Sequence, residues 1–309
     1  MTTISMPGDA CVDPRRVRGG DAPVCAGPAA ATDRCAGGPS PLAWGLYERL
    51  AELEVAVCWE PSFKLSVGTL LADRFLLSLT PPAPGGPRGR FTRILAGLGL
   101  PDCYLPVVEA NLPDACHLHL GVEQGPGGCL HKFYLEFPLA QSPGLDGTPA
   151  GSGPPLVHIA FKWDPARAQR HTVTRYLDRS AADGSGLVQT IGTICDQQSG
   201  AMVAAAAALI ERAAPSLAFA HMQLLEVLEE GNPRRSFDLR LYGSGLRLAA
   251  LRDWLGGLWD HFGIAAAARR ALLERFGGAP IGHLSGGVGR DGGEFCTIYY
   301  GAGRLQWGD

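Results

Sequence analysis

The chemistry this chain can carry lies on alternate positions of short, strand-like segments. In His131-Lys132-Phe133-Tyr134-Leu135-Glu136-Phe137, one face is Phe133, Leu135 and Phe137, and the other is Lys132, Tyr134 and Glu136. Val157–Trp163 sets His158, Ala160 and Lys162 against Val157, Ile159, Phe161 and Trp163. Phe237–Tyr242 sets Asp238, Arg240 and Tyr242 against Phe237, Leu239 and Leu241, and near the C-terminus Thr297 and Tyr299 oppose Ile298 and Tyr300. Two arrangements satisfy this pattern. In a half-exposed antiparallel sheet the polar faces meet bulk water. In a closed barrel whose apolar outside is covered by helices, they line an interior. Cations beside tyrosines in such an interior would form an anion site, where a diphosphate accepts charge-assisted hydrogen bonds from guanidinium and ammonium groups. Tyrosine faces would stabilise a neighbouring carbocation by about 1–2 kcal/mol each.

Other chemistries find less support. His117 and His119 share one face of a strand, a partial zinc pair, but Cys116 points to the opposite face and no second tightly spaced pair exists. His221 and His261 fall on helical segments and read as packing residues, as do Trp163, Trp254 and Trp259. No GxGxxG, Walker, GxSxG or HExxH pattern is present. Gly282–Gly287 with Ser285 reads as the turn-rich start of a last strand pair, since no helix follows it directly.

The elements that must position these residues are legible in outline. From Pro41, Leu42, Leu46, Leu50, Leu53 and Val57 recur at helical spacing, with Ser40 as N-cap. Ser62–Thr69, Arg74–Thr80, His117–Val122, His131–Phe137, Val157–Trp163, Phe237–Tyr242 and Phe295–Tyr300 read as strands. Arg90–Leu98, Ala201–Ala213, Ser216–Glu229, Leu246–Phe262 and Ala265–Phe276 read as helices, and Pro138–Pro155 as a long Gly/Pro/Ser loop. Strand pairs joined by tight turns imply an antiparallel α+β fold over residues 40–309, and residues 1–39 read as a flexible Gly/Pro/Ala-rich tail.

Composition sets the outer limits. With 309 residues, 46% apolar and 18% charged, the chain can bury a large core. A formal charge of -3 and a pI near 6.2 give no reason to expect nucleic acid. Nine cysteines without repeated CxxC pairs, and no secretory leader, point to free thiols and the cytoplasm. The longest apolar stretch, Ala201–Ile210, is too short to span a membrane.

The segments Glu60-Pro61-Ser62-Phe63-Lys64, His131-Lys132-Phe133-Tyr134-Leu135, Phe161-Lys162-Trp163-Asp164, Phe237-Asp238-Leu239-Arg240-Leu241-Tyr242, Gly282-His283-Leu284-Ser285-Gly286-Gly287-Val288 and Phe295-Cys296-Thr297-Ile298-Tyr299-Tyr300-Gly301 resemble, in order, those of the cyanobactin peptide prenyltransferases. These are the peptide-tailoring members of the ABBA prenyltransferase superfamily. The resemblance runs from about Leu42 to Gly301 and leaves out the tail. It implies a ten-stranded antiparallel barrel ringed by helices. It also implies Mg²⁺-assisted transfer of a dimethylallyl or geranyl group from its diphosphate to a side chain of a cyclic or linear ribosomal peptide. Residue by residue, it implies Glu60 as general base and Arg74, Lys132, Lys162, Arg240 and His283 as diphosphate ligands. Tyr134, Tyr242 and Tyr299 would shield the prenyl cation. No aspartate-rich metal motif is present, so any Mg²⁺ would be held through the diphosphate. The small residues Gly243 and Ser244 stand where a bulky side chain would restrict donor length, or else form a turn into the next helix. Two other readings remain: an ABBA enzyme prenylating small indoles or phenols, and a barrel that holds a peptide or lipid without chemistry.

Overall fold

The structure is a computed structural model that describes residues 40–82, 88–125, 128–139, 153–196, 199–229, 231–232 and 234–305. The tail and most of the loop before Pro155 fall outside the described residues. Among the described residues the strands are β1 (Val57–Ser66), β2 (Thr69–Leu79), β3 (His117–Gly125), β4 (Gly128–Glu136), β5 (Leu156–Asp164), β6 (Arg167–Asp178), β7 (Gln223–Glu229), β8 (Arg235–Arg240), β9 (Ile281–Val288), β10 (Glu294–Tyr300) and β11 (Gly303–Arg304). The helices are α1 (Pro41–Ala51), α2 (Arg88–Gly97), α3 (Leu105–Asn111), α4 (Gly184–Ile194), α5 (Gly200–Ala213), α6 (Arg252–His261) and α7 (Ala266–Phe276).

Every strand from β1 to β10 pairs antiparallel with the next, and β10 pairs back onto β1, so the sheet closes into a ten-stranded barrel. The short β11 extends the seam by pairing with Cys58 and Trp59. Closure decides between the two readings of the strand pattern. The apolar faces look outward into two helix-covered layers, α1 to α3 over β2 to β6 and α4 to α7 over β7 to β10. The polar faces look inward, where Glu60, Arg74, Lys132, Glu136, His158, Lys162, Asp238 and His283 are all buried.

Local chemistry supports these elements. Ser40 caps α1 by accepting from the Ala43 amide at 3.3 Å, and Asp183 caps α4 by accepting from Gly186 at 2.8 Å. Val57, read with the first helix, instead opens β1 after α1 ends at Ala51, and two further segments differ from the sequence reading. Ser216–Glu229 is not a helix: after a short 3-10 turn at Phe219–His221 it enters the barrel as β7. Pairing with β6 and β8 overrides a Leu- and Glu-rich composition that favours helix. The segment Arg167–Asp178, unassigned from sequence, is the longest strand of the barrel, β6.

Phe133 typifies the outer packing. It is fully buried, stacked on Phe161 at 6.2 Å and tilted against Phe91 of α2 at 5.4 Å. Phe133→Ala should lower the unfolding free energy by about 3–5 kcal/mol, which urea denaturation will measure.

Candidate active site

The barrel has two unlike ends. The five hairpins β1–β2, β3–β4, β5–β6, β7–β8 and β9–β10 all turn at one end, while the helices connect strands at the other. Side chains near the hairpin end form a belt of cations. Glu123 accepts from Lys132 Nζ at 2.7 Å, pairs with Arg74 Nη2 at 3.2 Å and lies 3.8 Å from Lys64 Nζ. Lys132 and Lys162 are direct cross-strand partners. Glu229 accepts from Lys162 Nζ at 3.3 Å and Arg290 Nη2 at 2.9 Å, with Arg234 Nη1 at 3.7 Å. Six cationic side chains thus meet two carboxylates. Arg74 also donates to Thr297 Oγ1 at 3.0 Å, while its buried Nε has no hydrogen-bond partner. A cavity of about 560 Å³ opens beside this belt, lined by Glu123, Lys162, Arg170, Glu229 and Arg290 among others.

The belt is electrostatically unsatisfied. Burial, added to the Arg74 charge and only partly opposed by Glu123, pushes Lys132 down to about 8. Burial and the Arg234 charge hold Lys162 well below the usual lysine range, against the pull of Glu229. The carboxylates respond in the opposite sense. Burial works against their charge, yet the surrounding cations hold Glu123 well below the usual carboxylate range and Glu229 at about 2.

Inward of the belt the lumen turns aromatic and apolar. Tyr134 lies 5.8 Å from Tyr176, and both pack with Ala160, Leu225, Val227 and Leu76. Tyr299 stacks on His283 at 3.7 Å and 14°. This middle zone separates the belt from a second polar group at the far end. There Tyr242 Oη lies 2.7 and 2.8 Å from the two oxygens of Glu60, His283 Nδ1 lies 2.9 Å from Asp238, and His283 Nε2 lies 3.5 Å from Glu60 Oε2. Arg240 donates to Glu136 Oε1 at 2.9 Å, to Gln223 at 3.0 Å and to His158 Nε2 at 2.6 Å.

The structure therefore brings Arg74, Lys132 and Lys162 together around shared carboxylates. It does not bring Arg240 or His283 to them: both serve the far end. Tyr134 and Tyr299 line the middle zone, whereas Tyr242 sits on Glu60. Gly243 and Ser244 follow β8 in a turn near Leu217, with Ser244 Oγ accepting from Leu246 N at 3.4 Å, and they are not part of the Tyr134–Tyr176 cluster. Sequence reasoning missed Glu123, Tyr176, Glu229, Arg234 and Arg290. Tyr176 and Glu229 lay on strands that were not recognised, and Arg234 and Arg290 lie in hairpin turns that carry no alternation.

Of the His117–His119 pair, only His119 belongs to a cluster of metal-ligating side chains among the described residues. His119, Glu136 and His158 bring ligand atoms within 4.8 Å of one another. Arg240 already bridges Glu136 and His158 there, so the protein itself supplies the positive charge. Among the described residues Cys103, Cys116, Cys129, Cys195 and Cys296 are free thiols, and no helix of the described residues is long and apolar enough to cross a membrane.

Glu229 offers a direct check on the belt. Its depressed pKa contributes stability above its unfolded value near 4.5, and that contribution disappears as pH falls toward 2. Glu229→Gln should cost about 3–5 kcal/mol near neutral pH by leaving buried cations unpaired. The gap to the unmutated protein should close on acidification, as read by denaturation at a series of pH values.

No family profile and no curated protein matches the sequence. Solved structures do match in shape. One is 5-dimethylallyl tryptophan synthase from Streptomyces coelicolor in complex with DMASPP and Trp, at TM-score 0.53 and 16% identity over 78% of each chain. Another is the apo form of the prenyltransferase PriB, at TM-score 0.53 and 16% identity over 79% of each chain. The chain has the ABBA prenyltransferase barrel fold.

Proposed function

We propose that the protein transfers an isoprenyl group from an allylic diphosphate to a nucleophilic side chain of a peptide. The observation that carries this reading is the cation belt: six positive groups against two carboxylates, with Arg74, Lys132 and Lys162 buried, beside a tyrosine-walled zone. A surplus of buried positive charge is costly unless an anion completes it, and a diphosphate supplies several negative charges in a compact group. The donor's C1–O bond breaks with its electron pair leaving on the diphosphate. Arg74, Lys132 and Lys162 stabilise that developing charge in a site screened from water. Tyr134, Tyr176 and Tyr299 face the prenyl carbons and exclude water from the cation. The acceptor atom forms the new bond, and its proton passes to Glu60 as general base.

A peptide acceptor rests only on the resemblance of the ordered sequence segments to those of the cyanobactin enzymes. A second reading, a small aromatic acceptor, is favoured by the tryptophan complex of the Streptomyces coelicolor relative in shape. The belt's residues do not fit a protein-held Mg²⁺, because Glu123 and Glu229 are already engaged by lysine and arginine. No step is therefore assigned to the metal.

Incubation with dimethylallyl or geranyl diphosphate should add one isoprenyl mass to a member of a cyclic and linear peptide panel. Gain on free tryptophan alone selects the small-molecule reading, and peptide binding without any gain selects a non-catalytic barrel. Arg74→Ala should weaken donor binding by about 2–5 kcal/mol, while Glu60→Gln should leave it intact and lower kcat by about 10²–10⁴-fold. Full activity of Glu60→Gln would remove the base assignment.

Donor binding should also take up protons. The diphosphate raises the lysine pKa values that burial has lowered, so affinity should fall as pH rises through about 8, where Lys132 loses its proton. Calorimetry in buffers of different ionisation enthalpy reads the uptake; a binding heat independent of buffer would contradict it.

A further inference from the structure

The far end of the lumen holds more machinery around Glu60 than a lone base needs. The Tyr242 hydroxyl reaches both carboxylate oxygens, at 2.7 and 2.8 Å. His283 stands against the same carboxylate at 3.5 Å through Nε2, and its Nδ1 lies 2.9 and 3.0 Å from the two oxygens of Asp238. The imidazole is stacked on Tyr299 and lies 5.8 Å from the Tyr242 ring, so it has little freedom to turn. Next to it, Gly282 packs its backbone against the pair. A Cβ there would overlap Glu60 Oε1 and come within 2.7 Å of Tyr242 Cε1.

We propose that Tyr242 and His283 are positioning residues for Glu60, the phenol anchoring the carboxylate in the lumen and the Asp238-backed imidazolium supplying the charge that orients it. This rests on the reading of Glu60 as general base. It places both residues at the acceptor end rather than in the cation shield or the diphosphate grip. The acceptor's O–H or N–H takes over one carboxylate oxygen from the Tyr242 hydroxyl and meets a base whose direction is already set. Gly282 is part of the device because any side chain there would push Glu60 out of line.

The groups facing His283 are Glu60 from β1, Asp238 and Arg240 from β8, Tyr242 just beyond it, Tyr299 from β10 and, from β5, His158. Burial disfavours the imidazolium, but Asp238 and Glu60 outweigh it and raise its pKa to about 9. The charge is therefore present at neutral pH and lost as pH rises through about 9.

The test uses the full chain, dimethylallyl diphosphate and the panel acceptor that gains mass. Tyr242→Phe, which removes only the hydroxyl, and Gly282→Ala should each leave donor affinity unchanged and lower kcat by roughly 10- to 100-fold. The unmutated enzyme should lose kcat above about pH 9, whereas His283→Asn should show low kcat without that basic limb. Imidazole ¹⁵N NMR of the unliganded protein gives a reading that needs no acceptor: the His283 midpoint should fall in Glu60→Gln. An unchanged midpoint overturns the Glu60–His283 coupling. Unmutated kcat and pH profile in Tyr242→Phe or His283→Asn, with Glu60→Gln inactive, removes that residue from its role. An active Glu60→Gln is a different result and overturns the base reading instead.

Discussion

The constraint on which the structure turns is the enclosure of positive charge inside a closed sheet. Ten strands bury both of their faces, one under helices and one around the lumen, so Arg74, Lys132 and Lys162 on the inner face are cut off from bulk water. Each must find a partner within the lumen. Glu123 and Glu229 satisfy this only in part, since each is shared among three cations. The depressed lysines and the unpaired Nε of Arg74 are the physical record of that shortfall. An anionic ligand with several oxygens would complete the set, and the two glutamates hold the belt together without one.

Separation along the barrel axis is the second organising feature. The belt gathers where the hairpins turn, the carboxylate and histidine groups gather where the helices connect, and tyrosines stand between. In the proposed reaction, leaving-group stabilisation and proton removal would therefore fall at opposite ends of one chamber, with the reactive carbon in the apolar middle. Opposite charges at the two ends do not neutralise each other, because each end has its own internal partners: Glu136 for Arg240, and Asp238 for His283.

Much of this was legible in the residue order. Lys132, Lys162 and Tyr134 declared themselves by strict alternation against large apolar neighbours, because a strand buried on both sides must segregate its faces. What alternation cannot convey is height along the axis. Arg240 and Lys162 show the same strand pattern, and only the register of the closed barrel places one at each end. Tyr176 was hidden because Arg167–Asp178 is polar on both faces near its start. Glu229 was hidden because Gln223–Glu229 has the composition of a helix and becomes a strand only through its neighbours on either side. Arg234 and Arg290 sit in turns, where no periodic pattern exists to read.

The asymmetry of the connections has an evolutionary corollary. At the hairpin mouth, two of the links carry Arg234 and Arg290 of the belt, so insertions there would disturb their contacts to Glu229. At the opposite mouth, α2 and α3, α4 and α5, and α6 and α7 join strands through whole helices whose lengths and junctions can drift while the wall of strands stays intact. One rim can therefore be remodelled while the half that holds the belt is inherited unaltered.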